Sequence, residues 1–95
     1  MTPRSPFDPE EVGHRLKAVR LHYGKTRAEF AGSVQIDATS YGRIEKGQKP
    51  LKADMAFRVA ERWGVSMDFL YRGRLTELPP NLADSFMRHL TNHDL

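Results

Sequence analysis

The apolar positions of the chain recur with a helical period in six stretches, and nowhere with the two-residue alternation of a strand. Val12, Leu16, Val19 and Tyr23 predict a first helix over 10–23, with His14, Arg15, Lys17 and Arg20 between them and Gly24 as its stop. Thr26-Arg27-Ala28-Glu29 reads as a capping box, in which the Thr26 hydroxyl and the Glu29 carboxylate each serve the other residue's backbone amide. It opens a helix over 27–34 that buries Phe30, Ala31 and Val34. Gln35-Ile36 follows as a turn, and Asp37 caps a helix over 38–46 that ends before Gly47. After the loop 47–51, a fourth helix begins near Lys52, with Asp54 in its first turn and a stripe of Met55, Ala56, Val59, Ala60 and Trp63. Gly64 ends it, and Ser66 caps a short helix over 67–72 with Phe69 and Leu70 inward and Gly73 as its stop. Residues 74–79 are a linker, and a last helix over about 80–92 carries Leu82, Phe86 and Leu90 at i, i+4 and i+8. Pro3, Pro6 and Pro9 make residues 1–9 an irregular arm. The pattern predicts an all-α fold: a five-helix domain over 10–73 and an additional C-terminal helix within 74–95.

The helices over 27–34 and 38–46 carry the functional argument. A turn of about three residues joins them, with the small Ala31 where they cross and the apolar Ile36 pinning the turn. At about 100° per residue, Ser40, Tyr41, Ile44 and Glu45 fall on one side of the second helix. Ala38, Thr39, Gly42, Arg43 and Lys46 fall on the other. A face of small residues and long cations fits a DNA major groove, which is wide enough to admit a helix.

The 95-residue length allows one small domain. A net charge of +3 favours a polyanionic partner too weakly to decide by itself, so the placement of the cations carries that point. The chain has no cysteine, which excludes a disulfide framework and thiolate zinc sites. Residues 1–11 carry no apolar run of a signal peptide, and no stretch approaches the roughly 20 apolar residues that span a bilayer. The expectation is a soluble, cytoplasmic protein with no membrane association.

Residues 12–73 resemble the helix-turn-helix domain of the lambda-repressor and Cro type, the XRE family of bacterial and phage regulators. The resemblance rests on VGHRLKAVRLHYGKTRAEFA, on the IEKG that closes the third helix, and on GVSMDFLYRG after the fourth. It implies a sequence-specific binder of double-stranded DNA, a repressor that occupies a pseudo-palindromic operator as a homodimer. The third helix would be the recognition helix, with Ala38, Thr39, Gly42 and Arg43 toward bases. Arg27 stands where the family often has a phosphate-contacting Gln, and Lys46, Gln48 and Lys49 would touch phosphate around the end of the recognition helix. Arg20 and Glu45 match an ion pair joining the first and third helices. The sequence departs from the pattern at Gln35, where glycine is common; a left-handed residue there costs about 1 kcal/mol. Gly42 and Gly32 sit inside helices, each costing up to about 1 kcal/mol relative to Ala. The segment ADMAFRVAERWGVS also resembles antitoxins that capture a toxin, which gives a toxin partner as the alternative role.

Other chemistry is thinly supported. His89 and His93, at i and i+4, lack a third ligand, and Gly24-Lys25-Thr26 mimics the end of a phosphate-binding loop without its first glycine or preceding strand. No catalytic constellation, metal site or cofactor is expected. The domain appears closed by Gly73, so the stripe of Leu82, Phe86 and Leu90 is expected to pair with a second copy.

Overall fold

Asp8 opens the first helix, its carboxylate accepting the Glu10 amide at 2.9 Å, and Pro9 occupies the first helical position, where its missing N–H is no loss. The structure is a computed structural model; it describes residues 5, 7–76 and 78–94, with side chains to residue 88. The side chains of His89, Leu90 and His93 lie outside the described residues. The elements are α1 (Pro9–His22), α2 (Arg27–Ser33), α3 (Ala38–Glu45), α4 (Ala53–Trp63), α5 (Met67–Arg72) and α6 (Pro80–Asp94). No strand occurs among the described residues. Pro9, expected as the last residue of an arm, instead begins α1.

α1, α2 and α3 all end in the same hydrogen-bonded pattern. The second residue past the cap donates to the carbonyl five residues back: Lys25 to Arg20, Ile36 to Ala31, and Gln48 to Arg43. The residue before it donates three back, as in a Schellman motif. This geometry needs a left-handed residue, which Gly24 and Gly47 supply without strain after α1 and α3. Between α2 and α3 the position is Gln35, at φ 58°, so the turn of the helix pair carries the expected strain of about 1 kcal/mol.

The core is continuous from α1 to α6. Phe30 of α2 stacks on Trp63 of α4 at 5.4 Å between ring centroids, and Tyr41 of α3 packs against Phe30 at a tilt. The Trp63 indole N–H donates to the Ser33 hydroxyl, and the Arg58 guanidinium of α4 donates to the Val34 carbonyl at 2.8 Å. These contacts seat the end of α2 on α4.

α6 lies against α1, correcting the expectation for the tail. Leu82 and Phe86, expected at a dimer interface, are 1 % and 2 % exposed within a single chain. Phe86 meets Phe69 of α5 edge-on at 4.5 Å. The domain is thus not closed at Gly73: α6 supplies core side chains, and an apolar stripe fits its own domain as readily as a second copy.

α1 also crosses α3 at van der Waals distance. A Cβ placed on Gly13 would stand 2.3 Å from the Glu45 carbonyl oxygen and 2.8 Å from that of Ile44. Both obstacles are backbone, which cannot rotate away. Gly13→Ala is therefore expected to destabilise the fold by about 1–3 kcal/mol. Urea denaturation followed by the fluorescence of Trp63, the single tryptophan, measures this; an unchanged midpoint would show that the helices do not meet here.

Candidate nucleic-acid interface

α3 is built to show one face. Asp37 accepts the Ser40 amide at 3.1 Å and fixes its start; Lys46 and Gly47 end it. Tyr41, Ile44 and Glu45 are buried, while Ala38, Thr39 and Arg43 are exposed and Gly42 is partly so. Lys46 and Gln48 are exposed beyond the helix end, and Lys49 is half-buried. Tyr41, Ile44 and Glu45 thus fall on the inner side and Ala38, Thr39, Arg43 and Lys46 on the outer, as the helical period predicts, while Ser40 and Gly42 are both intermediate.

Beneath the exposed face lies a charged anchor. Arg20 of α1 and Glu45 of α3 form a two-pronged pair, Nε to Oε2 at 3.0 Å and Nη2 to Oε1 at 2.8 Å. Both are buried, at 8 % and 5 % exposure. The Arg20 Nη1 also donates to the Lys25 carbonyl at 2.9 Å, so one guanidinium joins α1, the α1–α2 turn and α3. The Tyr41 hydroxyl is buried at this anchor beside the Arg20–Glu45 pair. Burial pushes its pKa up, which keeps the phenol neutral. Burial, the largest single influence on Glu45, would raise its pKa; the hydrogen bonds and charge of Arg20, with hydrogen bonds from Tyr41 and Arg27, together outweigh it and hold the carboxyl below its usual range.

Arg27, the first residue of α2, lies half-exposed at the edge of this anchor, its Nε 3.3 Å from Glu45 Oε1. Nothing in the local pattern around Arg27 points to this contact. The guanidinium helps line a cleft of about 230 Å³, together with Glu10, His14, Lys17, Glu45 and Lys46. Arg27 and Lys46 were expected to touch DNA; His14 and Lys17 of α1, which join them here, were not singled out. Helical spacing puts His14 and Lys17 on one face, but nothing local to α1 says which helix that face meets.

The helix-turn-helix domain family matches residues 13–75, about two thirds of the chain. The chain belongs to this helix-turn-helix family. A DNA-binding regulator is what that membership implies. Comparison with curated proteins and with solved structures returned no significant match. In this helix-turn-helix protein α2 and α3 are the two helices that name the motif, and Val34–Asp37 is the turn. Among the described residues no group of three His, Asp or Glu side chains is placed to hold a metal ion, and no helix is long and apolar enough to cross a membrane.

Proposed function

We propose that this chain regulates transcription by reading duplex DNA through α3, and that it represses by occupying its operator. The observation that carries this reading is the contrast between the two faces of α3. The inward face is fixed by Tyr41, Ile44 and the Arg20–Glu45 pair. The outward face offers Ala38, Thr39, Gly42 and Arg43 on a helix that cannot roll without breaking that pair. Gly42 adds weight. A Cβ there would meet nothing within 4 Å among the described residues, so packing gives no reason for a residue that weakens the helix by up to about 1 kcal/mol. A groove wall approaching the helix does give one.

In this reading Arg43 forks onto the two acceptors of a guanine, Thr39 and Ala38 meet thymine methyls, and Arg27, Lys46, Gln48 and Lys49 hold the backbone. Two copies on a pseudo-palindrome would place their α3 helices about 34 Å apart. Leu82 and Phe86 are consumed by the core, so the pairing surface is sought elsewhere on the domain.

Selection of bound sites from random duplex DNA tests the reading directly, and a preferred site is the expected result. On that site Arg43→Ala is expected to lose about 1–3 kcal/mol of binding and to relax the preference at one base pair. Full discrimination by the variant would remove Arg43 from the base-reading set.

A further inference from the structure

The cleft beside α3 joins Arg27 and Lys46, assigned above to the DNA backbone, to side chains that have no role in that reading. Three helices contribute to it: His14 and Lys17 from α1, Arg27 from α2, and Lys46 from the end of α3, with Glu10 and Glu45 as its acids. Glu45 is already matched by the two-pronged contact with Arg20 and by Arg27. The lining thus sets Lys17, Arg27 and Lys46 against Glu10 and Glu45. Every lining side chain carries a titratable group on an aliphatic or ring stem, and the volume of about 230 Å³ exceeds that of a phosphate group, leaving room for its water or part of a sugar. Arg27 and Lys46 bracket the cleft, and both belong to the set that faces the DNA backbone.

We propose that this cleft seats one backbone phosphate of the bound duplex, with Lys17 as a direct contact and His14 as a contact that strengthens on protonation. The proposal rests on the reading of the chain as a DNA binder and adds a site and a pH dependence to it. His14 is faced by Glu10 and Lys17 on its own helix, by Arg27 on α2, and by Glu45 and Lys46 on α3. Counting Lys17, Arg27 and Lys46 against Glu10 and Glu45, the lining carries one net positive charge with a neutral imidazole and two with a protonated one. A phosphate entering the cleft favours the protonated form, and by linkage protonation favours the phosphate. An imidazole ordinarily titrates near 6.5, so the effect falls inside the range where the protein and the DNA are otherwise unchanged.

The test uses the full chain and a labelled mixed-sequence duplex of about 20 base pairs, because a backbone contact is independent of sequence. If the bound phosphate raises the His14 midpoint by about one unit, affinity at pH 6 exceeds that at pH 8 by on the order of fivefold. His14→Gln should remove that dependence, His22→Gln should keep it, and Lys17→Gln should lower the salt slope by about one. The His14 ring, followed by NMR, should titrate at a higher pH with the duplex than without it. A wild type that binds DNA with no pH dependence, or a His14→Gln variant that keeps it, overturns the proposal and leaves the DNA-binding reading standing. A wild type that binds no duplex at either pH overturns both. Inorganic phosphate that shifts the His14 and Lys17 resonances where the duplex does not would assign the cleft to a free anion, against the proposal.

Discussion

Replacing Glu45 with alanine is expected to lower stability by about 3–5 kcal/mol, because it leaves the buried Arg20 guanidinium without its partner. The loss is larger than for an exposed pair because both side chains are below one-tenth exposed and Arg20 is also committed to the Lys25 carbonyl. Glu45→Gln should fall in the same direction by less, since the amide keeps an acceptor for one prong. Urea denaturation at pH 7 measures both, and a loss below about 1 kcal/mol for Glu45→Ala would show that the pair is solvated rather than structural. The same group sets an acid limit. Its folded pKa lies below the ordinary carboxylate value, so its stabilisation is fully present above that ordinary value and is lost as pH falls through the lowered one. Wild type should lose this increment on acidification, and Glu45→Gln should show a correspondingly flatter acid limb.

Phe86→Ala is expected to cost a similar 3–5 kcal/mol, the usual range for removing a buried phenyl ring. The ring is 2 % exposed and seated edge-on against Phe69, so its removal opens space between α6 and α5 that backbone shifts fill only in part. The burial is complete within one chain. The contribution of this ring is therefore expected not to change with protein concentration, and sedimentation of Phe86→Ala should match that of the wild type. Stability that rises with concentration in the wild type and ceases to do so in the variant would show instead that α6 is exchanged between copies.

Local chemistry was legible in the sequence because it is settled by neighbours along the chain. The Thr26–Glu29 capping box, the Asp37 and Ser66 caps, and the stops at Gly24, Gly47, Gly64 and Gly73 all stand where composition and spacing place them. The sidedness of α3 follows from its period alone. The Arg20–Glu45 pair did not: its members are 25 residues apart, and only the family resemblance pointed to it. Contacts between helices stayed hidden. Gly13 reads as an ordinary weak point of a helix until α3 is seen crossing it. Arg15 reads as a solvated cation. It is instead buried against the C-terminal end of α5, where Nη1 donates to the Leu70 carbonyl at 3.1 Å and burial lowers its pKa. The α6 stripe named its own burial but not its partner, and the cleft needs three helices before it exists.

The closure of α6 on α1 has a consequence in time as well as in energy. α1 ends at His22 and α6 starts at Pro80, so everything between them must be made before the two can meet. At a synthesis rate of about 5–20 residues per second, α1 waits on the order of several seconds for the helix that covers it. The elements of the DNA-facing surface emerge during that interval, ahead of the segment that completes the core beneath them. Newly made chains thus pass through a stage in which the α1 surface destined for Leu82 and Phe86 is open to other apolar partners, chaperones included.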